Sequence, residues 1–245
     1  MVNKLDLPQT TIDREKIIHQ KKFFEKIYLD FYSIFRNQSE NLPLGFKLEL
    51  GSGAGFIKQI LPDVITSDII KLPNCDKIIN AEKLPFKKNS VSAVYLLNTF
   101  HHIKNPQKAL KEFERVLKKG GKVIMIEPYN SYWGRLIYKN FHYEGFDETV
   151  TNWKIKGLGP LSDANNAMPW VIFERDRKIF QKKFPHLNLS NFYPHTPFMY
   201  LLSGGLKKHQ FVPTFTYKLF KSIEMILSPF NKYFGMFVTI VLTKN

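Results

Sequence analysis

A glycine-rich turn directly follows an apolar, strand-like segment in residues 48–55, which read Leu-Glu-Leu-Gly-Ser-Gly-Ala-Gly. Glycine recurs at Gly51, Gly53 and Gly55, and only a residue without a Cβ atom tolerates the positive φ and the close backbone approach of such a turn. A backbone that comes this close to a ligand is typical of nucleotide-like cofactor sites. The segment therefore predicts a strand, a sharp turn and a cofactor-binding edge.

The spacing of these glycines helps to choose among cofactors. The dinucleotide fingerprint Gly-x-Gly-x-x-Gly, read from Gly51, requires glycine at position 56. The chain has Phe56 there. A nicotinamide oxidoreductase, which would hold a pyrophosphate at this turn, is therefore disfavoured.

Strand-like and helix-like segments alternate along the first half of the chain. We predict strands at 46–50, 64–67, 77–80, 91–97 and 122–126, and helices at 11–35, 54–61 and 105–119. Such alternation favours βαβ units and a parallel sheet, whose ligands bind beyond the carboxyl ends of the strands. At those ends fall Asp68, Ala81, Glu82, Asn98 and Glu127. These residues should meet in one crevice.

Five motifs occur in the order and at the spacing of one known family. They are the turn at 48–55, Asp68, Ala81-Glu-Lys-Leu-Pro-Phe86, Leu97-Asn-Thr-Phe-His-His-Ile103 and Phe113-Glu-Arg-Val-Leu-Lys-Lys-Gly-Gly121. Across residues 46–128 the chain resembles the class I S-adenosylmethionine-dependent methyltransferases, and within them the small-molecule branch called type 11. The resemblance implies an α/β fold: a Rossmann-like, seven-stranded, mostly parallel sheet with an antiparallel last strand, helices on both faces and a helical cap insert after strand five. The sixth and seventh strands would lie near 187–192 and at 235–244.

The resemblance also implies where the cofactor S-adenosyl-L-methionine binds. The cofactor-binding residues that carry over are Glu49, Gly51, Ser52, Gly53, Gly55, Asp68, Ile69, Ala81, Glu82 and Asn98. Asp68 would accept hydrogen bonds from the two ribose hydroxyls, because a carboxylate offers two acceptor oxygens. Glu49 would order the loop at the amino acid end of the cofactor, Ala81 and Glu82 would border the adenine, and Asn98 would lie under the methionine.

Chemistry at this site mainly requires the acceptor to be held in line, because a sulfonium methyl group is already a strong electrophile. An oxygen acceptor also needs a base, and histidine titrates near neutrality. The candidate catalytic residues are His101 and His102 after strand four and His142 further along the chain. For His101 and His102 the alternative is a structural role in the loop. The seven histidines and the single cysteine show no metal-ligand spacing, so we expect no metal site.

We expect a single methyltransferase domain over residues 1–245. Its parts are an N-terminal helical segment 1–44, a cofactor-binding core 45–128, an acceptor-binding cap 129–183, and C-terminal strands with a basic covering helix at 184–245. The cap is rich in aromatic residues, which suit a ring, sugar or lipid acceptor. Its polar loop at 157–166 could serve as a lid.

The formal charge of +15 is concentrated in the last third of the chain. Such a field attracts nucleic acid, anionic lipid or phosphorylated substrates. The run 215–230 mixes apolar residues with lysines, which fits either a helix that covers the sheet or a helix at a membrane surface. We expect the covering helix, and peripheral membrane contact stays open. The start of the chain and its single cysteine indicate a cytoplasmic protein, at the inner membrane face if it is peripheral. The overall pattern resembles methyltransferases of bacterial envelope-glycan and quinone-type pathways, which implies a bacterial-type enzyme.

The expected acceptor is a small molecule, with lipid-linked glycans and quinone-type compounds as candidates. One alternative is an RNA methyltransferase that uses the basic C-terminal face. The turn Asn98-Thr-Phe-His101 lacks the Asn-Pro-Pro-aromatic sequence of adenine-N6 enzymes, which argues against nucleic acid. The other alternative is a catalytically silent cofactor-binding module. The identity of the acceptor and the oligomeric state stay open.

Overall fold

The computed structural model describes residues 3–157, 159, 161–206 and 209–245. Within these ranges seven strands form one sheet in the order β3-β2-β1-β4-β5-β7-β6. The strands are β1 Phe46–Leu50, β2 Val64–Asp68, β3 Lys77–Ile78, β4 Val91–Leu97, β5 Leu117–Pro128, β6 Leu187–His195 and β7 Phe237–Lys244. Neighbours from β3 to β5 pair in parallel, and β7 is antiparallel to both β5 and β6. The predicted sheet, with its antiparallel last strand, is confirmed.

Helices cover both faces of this sheet. They are α1 Pro8–Gln20, α2 Lys22–Gln38, α3 Pro106–Val116, α4 Tyr132–Phe141, α5 Met168–Trp170, α6 Arg177–Lys183, α7 Met199–Leu202, α8 Tyr217–Ile226 and α9 Asn231–Phe234. Because successive strand residues point to opposite faces, β4 places Val94 in one core and Tyr95 in the other. Helices α3 and α6 pack on the first core and α2 packs on the second.

The predicted helix at 54–61 is wrong. The structure has only a single 3₁₀ turn, Ile57–Gln59, between the glycine loop and β2. A helix this short is costly to nucleate, and Pro62 and the start of β2 follow at once. The face that this helix would have covered is covered instead by α2, whose Tyr32 Oη accepts a hydrogen bond from the backbone N–H of Phe56 at 3.0 Å.

The predicted single helix at 11–35 is also corrected, since two helices, α1 and α2, meet at Lys21. That residue has φ −94° and ψ 88°, outside the helical region, so the helical hydrogen bonding stops there. In α2, the residues at helical spacing are buried, namely Phe24, Ile27, Phe31 and Phe35. The amphipathic pattern was sufficient to predict that this segment is helical and packs on the core, but not where the helix breaks.

The end of α3 and the start of β5 lie earlier than predicted. Asn105 caps α3 as expected, its side chain accepting from the N–H of Lys108 at 3.2 Å. The helix ends at Val116, however, and residues 117–121 begin β5 instead of completing the helix. Part of this extension pairs with β4, where Leu117 lies opposite Val91. Pairing with the neighbouring strand β4 therefore outweighs the helical preference of the two lysines that follow.

The segment between β5 and β6 contains α4, α5 and α6, which confirms a helical insert after strand five. A π-helical stretch, Val171–Arg175, lies between α5 and α6, so the helix predicted to open at Pro169 is interrupted. Of the loop expected to act as a lid, Leu158 and Pro160 lie outside the described residues. Among the residues that are described, no helix combines the length and apolar character needed to cross a bilayer.

Candidate functional site

The glycine loop lies at the carboxyl end of β1, between β2 and β4. Gly51 has φ +66°, and a Cβ atom there would lie 2.3 Å from Thr99 Cγ2, so both conformation and space require glycine. A Cβ atom on Gly55 would lie 2.2 Å from Tyr32 Oη. Gly53, with φ +48°, has no neighbour closer than 3.7 Å. Neighbouring side chains therefore pack closely against the loop at Gly51 and Gly55, whereas there is more space beside Gly53.

Asp68 ties this loop to the end of β2. Its Oδ2 accepts from the N–H of Gly53 at 3.0 Å, and its Oδ1 accepts from the N–H of Ile70 at 3.1 Å. Burial raises the pKa of Asp68, and these backbone donors oppose that shift. Each carboxylate oxygen has a second lone pair, so Asp68 can support the loop and still accept from a ligand.

Glu49 is a buried carboxylate without a partner for one of its oxygens. The residue is 1% exposed, and its Oε2 makes no hydrogen bond to the described residues. Burial raises the pKa of Glu49 to about 7. A hydrogen bond with Ser52 opposes this rise, and the charge of Asp68 adds to it. An acid in this state gains most from a nearby cation, because a positive charge offsets the cost of burying the carboxylate.

A cluster of histidine and glutamate side chains occupies the other side of the site. His101 Nδ1 lies 2.6 Å from Glu127 Oε2, at the ends of β4 and β5. His101 Nε2 lies 3.4 Å from Glu144 Oε2, and His102 Nε2 lies 3.6 Å from Glu144 Oε1. His142 Nδ1 is 3.8 Å from Glu144 Oε2. We call these five residues the His/Glu cluster.

Charge is unevenly shared within the His/Glu cluster. Burial disfavours protonation of His101, but Glu127 and Glu144 raise its pKa to about 9. Burial and the positive charge of His101 lower the pKa of His102 to about 3. Although burial opposes ionisation of Glu144, the hydrogen bond and charge of His101 hold its pKa well below its usual range. At neutral pH His101 is therefore an imidazolium, and it lies between Glu127 and the carboxylate of Glu144.

The same geometry offers ligand atoms to a metal ion, which the sequence spacing did not reveal. His101, His102 and Glu144 each place one ligand atom within 4.8 Å of the others. The carboxylate comes from the segment after α4, more than 40 positions from the two histidines. An inspection of histidine and cysteine spacing alone could not have found this group.

All thirteen residues predicted as site residues line one cavity of about 700 Å³. They are Glu49, Gly51, Ser52, Gly53, Gly55, Asp68, Ile69, Ala81, Glu82, Asn98, His101, His102 and His142. The cavity separates the glycine loop and Asp68 from the His/Glu cluster. A ligand bound along the loop would therefore have its far end near the cluster.

Several lining residues were not foreseen. Arg14, Tyr28 and Tyr32 come from the N-terminal helices, and Tyr200 comes from α7. Only the amphipathic pattern of the N-terminal segment pointed to this region, and it does not distinguish residues that reach the cavity from residues of the core. Asn98 was foreseen, and it adopts φ +51°, a conformation that asparagine tolerates better than most residues.

Comparisons with known proteins agree with this geometry. Residues 48–125 match the family model described as a methyltransferase domain. An uncharacterized protein of Methanocaldococcus jannaschii is 32% identical over 113 residues, which cover 42% of this chain and 55% of that protein. The chain thus spans about half the length of the curated relative that it matches.

Two solved structures show the same fold. One is a geranyl diphosphate C-methyltransferase of Streptomyces coelicolor A3(2), with a TM-score of 0.55, 13% identity, and coverage of 95% of this chain and 83% of that one. The other is the complex of a Haloferax volcanii methyltransferase with the Trm112 methyltransferase activator, with a TM-score of 0.54, 13% identity and full coverage of both chains. The matched segment contains the glycine loop, Asp68 and β4, so this part of the chain is similar to a methyltransferase domain, and the chain shares the fold of these two solved structures.

Proposed function

We propose that this protein transfers the methyl group of S-adenosyl-L-methionine to a small, apolar acceptor bound in the cavity. The observation that carries the proposal is the shared cavity, with the cofactor-type loop on one side and the His/Glu cluster on the other. The whole chain would act as one methyltransferase domain, with residues 129–183 as its acceptor-binding cap.

S-adenosyl-L-methionine, the cofactor of this family, fits the charges of the loop region. Its ammonium and sulfonium groups are cationic, and Glu49 is a buried carboxylate with one oxygen that has no hydrogen-bond partner among the described residues. Its ribose hydroxyls are donors, and Asp68 retains acceptor capacity. Following the family, Ser52 and Ile69 would contact the cofactor, Ala81 and Glu82 would border the adenine, and Asn98 would lie under the methionine.

The transfer breaks the methyl–sulfur bond and forms a bond from the methyl group to the acceptor, with a neutral thioether as the leaving group. The protein must align the acceptor and exclude water. When the acceptor atom is a hydroxyl oxygen, its proton must also leave. His101 is a poor acceptor for this proton, because its raised pKa means that it is already protonated at neutral pH.

We infer that the carboxylate of Glu144 takes up the proton. The hydroxyl oxygen becomes strongly acidic as it gains the methyl group, so a carboxylate whose pKa is lowered can still accept its proton. Among the three candidate histidines, His101 and His102 then position Glu144, and His142 adjoins it from the cap.

The acceptor side of the cavity favours an apolar molecule. Trp133, Ile137 and Phe211 line it, and aromatic and aliphatic walls suit rings and isoprenoid or acyl chains. The Streptomyces coelicolor enzyme with this fold was solved with geranyl diphosphate. We therefore place a lipid-linked glycan or a quinone-type molecule ahead of RNA as the acceptor.

Two measurements test the proposal. Calorimetry with S-adenosylmethionine and S-adenosylhomocysteine should give saturable binding to one site. A radiolabelled methyl transfer screen over lipid-linked glycans, quinone precursors and transfer RNA should then label an apolar acceptor, and Glu144→Gln should abolish labelling while it retains cofactor binding. Absence of cofactor binding would refute the methyltransferase proposal, binding without turnover would favour the silent module, and labelling of RNA alone would overturn the acceptor class.

A further inference from the structure

We propose that an apolar face formed by α4, α8 and α9 docks this protein on an anionic membrane surface, where a lipid-linked acceptor enters the cavity. The identity of the acceptor rests on the proposed function, whereas the docking is argued from the surface residues of the fold. The covering helix expected at 215–230 is only half correct. One side of α8 does cover the core, and the opposite side carries apolar residues into solvent.

The outward side of α8 and the turns beside it form a helical stripe. Phe215, Leu219, Ile223 and Ile226 follow at intervals of four, four and three residues, which places them on one face. They are 86%, 60%, 38% and 73% exposed. On the inward side, Tyr217 and Phe220 pack edge-to-face on Phe23 of α2, with ring centroids 5.0 and 6.5 Å away. Helix α8 is therefore apolar on two sides, and only one of them packs against the rest of the described fold.

The stripe continues through α9 onto α4. Phe230, Tyr233 and Phe234 are about half exposed, and the ring of Tyr233 stacks on Tyr132 of α4 at 6.2 Å and 9°. Along α4 the exposed large apolar residues are Tyr132, Leu136 and Phe141. Scattered apolar residues on a surface need no explanation, but a contiguous patch of this size marks an interaction site. We refer to these residues, with those of the α8 stripe, as the apolar face.

Lysines border the apolar face. Lys218 and Lys232 are exposed on the same helices, and the whole chain carries a formal charge of +15. Lys221 is also exposed, but its ammonium group pairs with Asp30 Oδ1 at 2.7 Å. Glu224 of α8 adds no outward negative charge, because its carboxylate accepts from the backbone N–H groups of Phe198 and Met199. Apolar residues flanked by lysines are the pattern of helices that lie in the interface of anionic bilayers.

The charge also decides against a second copy of this chain as the occupant. A two-fold interface sets the same patch against itself, so two surfaces bordered by positive charge would be brought together. Like charges brought together at an interface are unfavourable, whereas anionic lipid headgroups complement them.

The apolar face adjoins the cavity through α4. Trp133 and Ile137 point to the cavity side of this helix, while Tyr132 and Leu136 lie on its exposed side. Phe141 and Phe211 line the cavity and are 71% and 62% exposed, so they mark its rim. A lipid that enters at this rim reaches the cavity without crossing open water, which is the advantage that docking would provide.

Vesicle sedimentation tests the docking. The full-length protein should sediment with vesicles of phosphatidylcholine and phosphatidylglycerol, and much less with phosphatidylcholine alone. The double variant Phe215→Glu/Ile226→Glu should lower the partition coefficient at least tenfold. The matched control is Leu44→Glu, which replaces a residue 91% exposed just before β1, at the end of that strand opposite to the glycine loop, and should bind as the wild type does. Lys218→Glu/Lys232→Glu should selectively weaken binding to the anionic vesicles.

Four results would overturn the docking proposal: no wild-type sedimentation, equal losses in Leu44→Glu and the double variant, equal binding to neutral and anionic vesicles, or a dimer that the double variant dissociates. Thermal melting confirms that each variant is folded. Calorimetric binding of S-adenosylmethionine, measured on the same samples, separates the two proposals. A protein that binds the cofactor but not vesicles loses only the docking, and a protein that binds vesicles but not the cofactor loses only the transferase.

Discussion

At the scale of single residues, the two carboxylates behind the glycine loop have different electrostatic roles. Asp68 already accepts two backbone hydrogen bonds, whereas one oxygen of Glu49 has no hydrogen-bond partner in the part of the chain that the structure describes. Both have a raised pKa because both are buried. The difference in their partners means that Glu49 should respond to a bound cation more than Asp68 does.

The affinity for S-adenosylmethionine should depend on the ionisation of Glu49. With a pKa of about 7 in the free protein, Glu49 must lose a proton to pair with a cation at lower pH. We expect the dissociation constant to rise by roughly tenfold from pH 8 to pH 6, following the ionised fraction. Calorimetry across this range provides the test. Glu49→Gln should bind more weakly at pH 8 and show a flat profile, and an unchanged slope in that variant would exclude Glu49 as the titrating group.

Replacing Asp68 with alanine should weaken cofactor binding by about 1–2 kcal/mol, the value of a hydrogen bond to a charged group. Because Asp68 also supports Gly53 and Ile70, the variant must be compared by urea unfolding without cofactor. Asp68→Asn retains part of that support and provides the matched control. If cofactor affinity stayed at the wild-type value in both variants, Asp68 would not be a ligand of the ribose.

At the scale of elements, the notable departure is the absence of an α-helix directly after the glycine loop. Helix α2 packs on that face of the sheet instead. The hydroxyl of its Tyr32 accepts a hydrogen bond from the N–H of Phe56 and lies against Gly55. The loop that should hold the cofactor is thus supported by a segment remote in sequence. We therefore expect that loosening the packing of the N-terminal helices also loosens the glycine loop.

This coupling predicts that Tyr32→Phe destabilises the protein by about 1–2 kcal/mol, because the part-buried N–H of Phe56 loses its acceptor. Urea unfolding gives the free energy, and hydrogen exchange at residues 51–59 should show faster opening of the loop. Tyr28→Phe, one helical turn earlier and also at the cavity, is the control and should have a smaller effect. Equal destabilisation by the two variants would mean that the hydroxyl of Tyr32 has no special role.

At the scale of the whole molecule, the His/Glu cluster joins the ends of β4 and β5 to the segment after α4. Its ionisation should therefore be visible in the global stability. The pKa of His101 is raised from 6.5 to about 9, so the folded state holds its proton more tightly than the unfolded state does. The stabilisation is complete below pH 6.5 and is lost as the pH rises towards 9.

From this shift we expect the free energy of unfolding to fall by on the order of 3 kcal/mol between pH 6.5 and pH 9. Denaturant unfolding at several pH values measures it. In His101→Gln the decline over this range should be much smaller, while Lys104→Gln, a nearby part-buried change outside the cluster, should retain it. A wild-type stability that stays level across the window would show that His101 is not held as an imidazolium.

The sequence by itself determined the glycine loop, the alternation of strands and helices, and the strand ends where polar residues gather. These follow from local rules, namely the steric freedom of glycine, side-chain periodicity and the shared edge of parallel strands. Only the tertiary structure decided how Glu144 meets His101, how Tyr32 supports the loop and which side of α8 stays in solvent. Each of these depends on the packing of segments that are distant along the chain, and no local pattern encodes which distant surface a side chain will meet.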